Sequence, residues 1–588
     1  MPLSSPFPDL KIPKCNLLEY LFPKGQAPTE TPIWIDARDT NHHLTPKTLL
    51  QWSKRLALGL DRLGSKQGEV VMIFTPNHIF VPVAYLGIVG SKRVFSGANP
   101  AYTVSEMVHQ ITNTEAQYIL AHPTLAKTAL TAARRAGLPE GRISLFSDTV
   151  NTSTADSRDW REWLPSPAEA DAYSFPPLSE EDATKTIATV NYSSGTTGLP
   201  KGVEVSHYNL IANLDQTIYM RYLKKPWDHT NHPREVWLGF LPLYHAYAQL
   251  YTIAMAQKLQ IPVYIMKQFH YEEFLSAIQV YRVTHLQVAP PIMIMLSKRA
   301  ETKKYDLSSI TDILCGSAPL SKELQTEISK KLDCEIVQGW GMTEVTCGAI
   351  HVPGGTLDDS GSVGQLDPNC ECKLLDDEGN EVPDGQPGEL YVRGPNICLG
   401  YWRNPQATKE TLSPDGWLRS GDIAVCRNSW FWIVDRKKEL IKVNGLQVAP
   451  AELEAVLLEC DPVADAAVVG ITLDEQEWPR AYVTLKDEHK GTIAETHIHD
   501  YMKEKVAKHK QLVGGIMFVD EVPKLLSGKI KRALVKQWAK RDAERMGGML
   551  MHGHRLTDAR VYFSASTTAA KTYPKNALPS LGRVGMDQ

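Results

Sequence analysis

The stretch SSGTTGLPKG, residues 193–202, sets small, hydroxylated and glycine residues ahead of a single lysine. Gly195 and Gly198 permit positive φ and close backbone approach. Ser193, Ser194, Thr196 and Thr197 add hydroxyls and consecutive N–H groups, a nest suited to a polyphosphate, with Lys201 as point charge. The spacing is not that of a Walker loop, because Leu199 and Pro200 separate Gly198 from Lys201. Taken alone, the stretch also reads as a solvated turn. A second constellation, QGWGMTE at 338–344, changes that balance. Trp340 offers a flat face to a base, Thr343 a hydroxyl and an N–H to an α-phosphate, and Glu344 a hard oxygen ligand for Mg²⁺. Elsewhere a Thr-Glu pair is usually a helix cap with a first-turn acid.

Four further places could complete such a site. In CGSAPL, Gly316, Ser317, Ala318 and Pro319 form a loop with little side-chain bulk, which lets a flat ring approach the backbone. In GDIAV, Asp422 is expected just after a turn, where its carboxylate accepts from both ribose hydroxyls. Arg436 in VDRKKE reaches the same sugar or forms a surface salt bridge. Lys529 follows Gly528 on a loop that leads into a helix, a place where most lysines are solvated.

The elements that must position these residues show in the patterning. Residues 45–64 have helical spacing, with Thr45 as a cap before Pro46. EVVMIFTP reads as a buried strand and FVPVAYLGIVGSK as a packed helix; VFSGANP, TVSEMVHQITNT and AQYILA continue the alternation. Strands alternating with helices predict layered α/β structure with parallel sheets. Residues 150–182, rich in Ser, Pro, Asp and Ala, are expected to be a surface linker. From about Gly361, alternating strands and Gly/Asp turns predict a β-rich subdomain. Beyond VDRKKELIK lies an α+β module of about 100 residues, an ordinary domain size. The residues after about 546 are expected to be largely disordered.

The 588 residues are 43% hydrophobic with a net charge of −4, which suits more than one core and argues against a nucleic-acid partner. Nine scattered cysteines, with Cys370 and Cys372 as a lone C-x-C, point to reduced thiols rather than a metal site. MPLSSPFPDLKIPK lacks the charged and apolar regions of a secretory signal, and GMDQ is not the peroxisomal address SKL, so a cytoplasmic location is expected. The uncharged residues 236–257 contain Pro242, His245, Gln249 and several tyrosines. A spanning helix needs about 20 mainly apolar residues; a buried strand followed by a helix is expected here instead.

Together, SSGTTGLPKG, LPLYHAYA, CGSAPL, QGWGMTE, SGDIA…VDRKKELIKVNGLQVAPAELE and PKLLSGKIKR, in this order, resemble the acyl-adenylate-forming superfamily. Their texture is similar to that of the 4-coumarate–CoA ligases and other acyl-CoA ligases, and GANPAYTVSE resembles those enzymes' early motif. The resemblance covers roughly residues 30–540. It implies an α/β protein, with a large N-terminal domain of layered α/β subdomains and a β-rich subdomain, plus a small mobile α+β C-terminal domain. The implied boundaries are 1–435 for the AMP-binding domain, 436–438 for a hinge, 439–545 for the C-terminal domain and 546–588 for the tail. The implied reaction activates a carboxylic acid with ATP and Mg²⁺ to acyl-AMP and pyrophosphate, then forms the CoA thioester.

By the same resemblance, the 193–201 loop holds the outer phosphates, and Gln338, Gly339 and Trp340 line the AMP site. Lys529 bridges the acid and the α-phosphate. His245 stands beside the acid carboxylate. The hinge falls on Lys438, with Gly445 near the pantetheine tunnel and Gln447 facing the adenylate. The acyl pocket comprises Tyr247, Tyr251, Leu314, Ser317, Gly339, Gly341, Cys347 and Gly348. Asn444 stands where many relatives have a lysine. Tyr251 is bulky where coumarate ligases have something small, and VTCG replaces AGP after Glu344. The two tyrosines predict a compact, flat aromatic or heteroaromatic acid. The alternatives are a ligase for a medium- or long-chain fatty acid, an enzyme that loads a phosphopantetheine carrier protein, a luciferase-like oxygenase, and a binding module without chemistry.

Overall fold

A computed structural model of the chain describes residues 2–153, 157–193, 200–224, 234–443, 446–473, 476–525 and 528–550. Ser194, Gly195, Thr196, Thr197 and Gly198 of the phosphate loop, Gly445, and the tail from 551 onward lie outside the described residues. The chain divides into two compact units, Met1–Ile433 and Val434–Gln588.

In the first unit, eight strands form one sheet in the order Gly400–Tyr401, Lys201–Ser206, Ile187–Ser193, Val94–Ala98, Val70–Phe74, Tyr118–Ala121, Ile143–Leu145 and Arg158–Asp159. Its centre is parallel: Val71 lies opposite both Phe95 and Tyr118. Val70–Phe74 is buried at every residue, as expected of a strand covered on both faces. The helix Val81–Gly90 is apolar all round and buried throughout. Pro46–Arg62 packs against it one-sidedly and starts at a capping box of Thr45 and Thr48 with Pro46 in the first turn.

Nine strands form the second sheet, in the order Gln365–Leu366, Ile350–His351, Glu335–Trp340, Asp312–Cys315, His285–Val288, Trp237–Gly239, Val263–Ile265, Trp34–Asp36 and His43–Leu44. The run 285–338 pairs in parallel, so Val288, Cys315 and Gln338 end level at one edge. The predicted β-rich region is a separate sheet of Leu3–Ser4, Glu371–Leu375, Pro387–Arg393, Leu418–Arg427 and Trp430–Arg436. Asp422 is not beside a turn there. It sits within the strand Leu418–Arg427, whose pairing slips between Glu389 and Tyr391.

Residues 150–182 differ from the expected linker. They contribute the edge strand Arg158–Asp159 and the short helices Pro167–Asp171 and Glu180–Lys185. Trp160 is fully buried, edge-on to Phe146 at 5.0 Å and to Phe80 at 5.8 Å. Polar average composition conceals such an anchor, since one indole buries as much surface as several small residues.

In the second unit, Val463–Leu473 and Gln476–Leu485 pair antiparallel, and Ile516–Phe518 joins in parallel. Helices Pro450–Glu459, Glu495–Lys505 and Arg532–Leu550 accompany this sheet. The last helix is integral: Arg480, fully buried on the sheet, donates from Nη2 to Asp542 at 2.6 Å. Among the described residues, no helix is long and apolar enough to cross a membrane.

Candidate active site

Strand pairing builds the base of the phosphate loop. Ser193 and Lys201 lie directly opposite each other, at the ends of two antiparallel strands. Asn191, two residues ahead of Ser193, exchanges two amide hydrogen bonds with Gln249, at 2.9 and 3.0 Å. Gln249 also donates to Tyr244 O at 2.9 Å, which ties this strand pair to the LPLYHAYA segment. His245 is the N-cap of the helix that follows, its Nδ1 accepting from Tyr247 N–H at 3.3 Å.

That helix turns π-helical over Gln249–Met255, where Ala256 N–H reaches back to Tyr251 O. Such turns are rare and cluster at functional sites. It carries Tyr251, buried and edge-on to Tyr247 with centroids 5.2 Å apart. Tyr247 donates its hydroxyl to Leu314 O at 3.1 Å, and a Cβ added to Gly316 would lie 3.5 Å from its ring. The CGSAPL loop therefore lies against the Tyr247 ring. Ser317 holds φ +74°, which bends the chain away after Gly316.

The QGWGMTE segment leaves the strand Glu335–Trp340 and closes in a 3₁₀ turn at Thr343–Val345. Thr346 then takes φ +68° and ψ −52°, with Cys347 N–H donating to Val345 O at 2.8 Å. This is a strained γ-turn, rare for a β-branched residue. It brings Cys347 O so close to Gly341 that a Cβ there would sit 1.7 Å away. Only glycine fits at 341. Burial pushes the Cys347 thiol up to about 12, so it is a neutral wall group rather than a nucleophile.

Glu344 is buried and accepts from Tyr401 Oη at 2.8 Å. Lys201 Nζ lies 5.1 Å from the centre of the same Tyr401 ring. Tyr401 thus stands between the phosphate-loop lysine and the acidic residue. Burial, then the Glu344 charge, push its phenol well above the ordinary value, so it remains a donor. No local pattern marks Tyr401; pairing of Gly400–Tyr401 onto Val203 and Glu204 brings it here.

Trp340 differs from the expected open face. Its ring is enclosed in the β-rich core, because strand alternation turns it inward, and its indole N–H donates to Asp422 Oδ2 at 2.9 Å. Gln338 also points inward, donating to Leu320 O at 3.1 Å and Gln325 Oε1 at 2.8 Å. Ala318 and Pro319 complete the CGSAPL loop beyond Ser317. Arg436, Lys438, Gln447 and Lys529 belong to the second unit. Lys438 is exposed in the turn after Trp430–Arg436, and Gln447 lies opposite Lys442. Gly528, at φ +83°, makes the tight turn from which Lys529 returns its carbonyl to Leu525 N–H at 2.8 Å.

The AMP-binding enzyme family matches residues 24–402, and the AMP-binding enzyme C-terminal domain matches residues 452–529. The chain belongs to the AMP-binding enzyme family. An acyl-CoA synthetase of Alternaria alternata is 36% identical over 536 residues, covering 89% of this chain and 91% of that protein. A phenylacetyl-CoA ligase of Aspergillus niger is 33% identical, covering 91% and 98%. Among solved structures, a benzoate CoA ligase from Burkholderia xenovorans LB400 superposes with a TM-score of 0.74 at 25% identity, covering 88% and 99%. This family member is an AMP-forming acid–CoA ligase whose reactants are a carboxylic acid, ATP and CoA, with Mg²⁺.

Proposed function

We propose that the acid is a compact aromatic or heteroaromatic carboxylate. The observation that carries this is the pair Tyr247 and Tyr251, buried and edge-on, with the bare Gly316 backbone against the Tyr247 ring. A flat ring fills such a slot, whereas a long alkyl chain needs a tunnel. The names of the Aspergillus niger and Burkholderia relatives support an aromatic acid. Nine free cysteine thiols suit a reducing cytoplasm.

The chemistry divides among this chain's residues. A carboxylate oxygen attacks the α-phosphorus of ATP, and the bond to the β-phosphate oxygen breaks, releasing pyrophosphate. An anion must approach a polyanion, so donors must meet the charge that develops. The segment from Ser193 to Lys201 holds the outer phosphates, with the Lys201 charge oriented over Tyr401. Thr343 donates to the α-phosphate. Ser317, Ala318 and Gly339 line the adenine, and Asp422, held by Trp340, accepts from the ribose together with Arg436. The buried Glu344, one oxygen held by Tyr401, is a hard donor that fits Mg²⁺; bound there, the ion would neutralise phosphate charge. His245 stands at the acid carboxylate. Lys529 serves the adenylation step. Rotation about Lys438 then exchanges it for Gly445 and Gln447, and the CoA sulfur attacks the acyl carbon as the bond to AMP breaks.

The test is pyrophosphate release with ATP and Mg²⁺ over benzoates, phenylacetates, nicotinate, cinnamates and fatty acids, with and without CoA. One aromatic acid turned over only with CoA is the expected result. Lys529→Ala should lower kcat for adenylation by about 10²–10³, the cost of one transition-state donor, while transfer from preformed acyl-AMP persists. Robust turnover of palmitate but not of any aromatic acid would overturn the acid class. Adenylation that proceeds without use of CoA would favour a carrier-protein acceptor.

A further inference from the structure

A further cavity borders the tyrosine pair on the Tyr251 side. It has a volume of about 30 Å³ and is lined by Tyr251 and Leu314 but by neither Tyr247 nor His245. Its walls mix the apolar Val337 and Val352 with polar groups that the flat-acid reading does not explain: Thr217, Arg221, Asp312, Glu335 and His351.

Three of these groups have partners or gaps that can be read directly. His351 Nδ1 sits 2.8 and 3.0 Å from the two oxygens of the fully buried Asp367. In the tautomer that gives Nδ1–H to that carboxylate, Nε2 is an acceptor. Nε2 lies beside Gly348 and Gly339: a Cβ on Gly348 would be 2.7 Å from it and one on Gly339 3.8 Å. Thr217 is 1% exposed, and its hydroxyl makes no hydrogen bond among the described residues. A buried hydroxyl without a partner costs free energy, so a ligand or water group is expected to meet it. Arg221 is already committed, at 3.2 Å to Glu235 and 3.2 Å to Asp312. That cluster carries two carboxylates for one guanidinium, and Asp367 stands nearby behind His351. The cavity therefore repels a second carboxylate while offering one acceptor and one donor-acceptor to a neutral group. Its volume matches about one water-sized group.

We propose that the cavity recognises a hydroxyl group on the substrate acid, borne at the end away from the reacting carboxylate. The hydroxyl donates to His351 Nε2 and accepts from Thr217 Oγ1. This deepens, and rests on, the aromatic-acid reading above. Asp367 acts as a positioning residue by fixing the imidazole tautomer. No covalent step is involved; the site acts on kcat/KM through binding.

The test uses the full chain and matched acids: benzoate and phenylacetate, their 3- and 4-hydroxy derivatives, the methyl analogues of equal shape, and the corresponding dicarboxylates. CoA-dependent pyrophosphate release gives kcat/KM for wild type, Thr217→Val, Thr217→Ser and His351→Phe. For wild type, one hydroxy acid should exceed its methyl analogue and its parent by at least about tenfold, the size of one hydrogen bond, with the dicarboxylate lowest. Thr217→Val and His351→Phe should erase that ratio while turnover of the unsubstituted acid persists, and Thr217→Ser should retain it. A wild-type ratio near one among acids that are turned over would mean that the cavity holds only water and would overturn this inference alone. So would a ratio that survives both Thr217→Val and His351→Phe. Turnover confined to fatty acids would overturn the aromatic reading and this inference together. The wild-type ratio decides the question even if a variant fails to fold.

Discussion

Replacing Tyr401 by Phe removes one oxygen and leaves the ring. The ring keeps its place 5.1 Å from the Lys201 ammonium, so the cation–π contact survives. What is lost is the 2.8 Å hydrogen bond to Glu344 Oε1. Glu344 is 5% exposed, so water does not readily replace the lost donor. Hydrogen bonds to charged groups contribute about 1.5–3 kcal/mol. At 1.4 kcal/mol per factor of ten, that is about a 10–150-fold loss. The loss should fall where Glu344 acts, as a weaker apparent affinity for free Mg²⁺ and a lower kcat/KM for ATP. Protein stability should change little, because the aromatic packing is retained. The assay is initial-rate pyrophosphate release as a function of free Mg²⁺ at fixed ATP, with CoA transfer from preformed acyl-AMP as an internal control. An unchanged Mg²⁺ dependence would refute the argument that Tyr401 orients Glu344 as the magnesium ligand. An equal loss in the transfer step would show a general distortion instead.

Two predictions concern the fold. Burial, as the leading cause, lowers both His78 and His207 to about 3, and in each Nδ1 accepts a backbone N–H, from Phe80 and Leu17. The native state thus stays neutral at these rings while the unfolded chain protonates them near 6.5. Stability is level above about pH 6.5 and falls below it by about 1.4 kcal/mol per pH unit for each histidine. Urea midpoints at pH 7.5, 6 and 5 measure this, and a midpoint that does not drop would refute it. In the second unit, Asp542→Ala leaves the buried Arg480 guanidinium without its carboxylate, so it should cost about 3–5 kcal/mol, read as a lowered Tm. An unchanged Tm would show that the last helix adds nothing to the unit.

Much of the framework was legible because its causes are local. Val70–Phe74 and Val81–Gly90 announce burial by their own apolar runs, and Thr45 with Pro46 writes a helix start in adjacent residues. Thr103 and Glu106 close a second capping box in the same way. Local reading failed where one residue outweighed its surroundings. Trp160 turned an apparent linker into packed structure, and Asp422 lies mid-strand because pairing with Ile423's neighbour Glu389 continues past Gly421.

By itself the sequence determined which side chains are available and how the motifs bring them: the hydroxyl- and glycine-rich loop, the Thr343–Glu344 pair and the Gly528–Lys529 turn. Their spacing is covalent, so the chemical class follows without coordinates. Only the tertiary structure decided what each group meets. Tyr401 reaches Glu344 from 57 residues away, Trp340 holds Asp422 across 82, and Thr217, Arg221 and His351 converge on one cavity from a helix, its end and a distant strand. Such meetings depend on strand order and register, which are settled by the summed burial of whole elements rather than by any residue's neighbours in the chain.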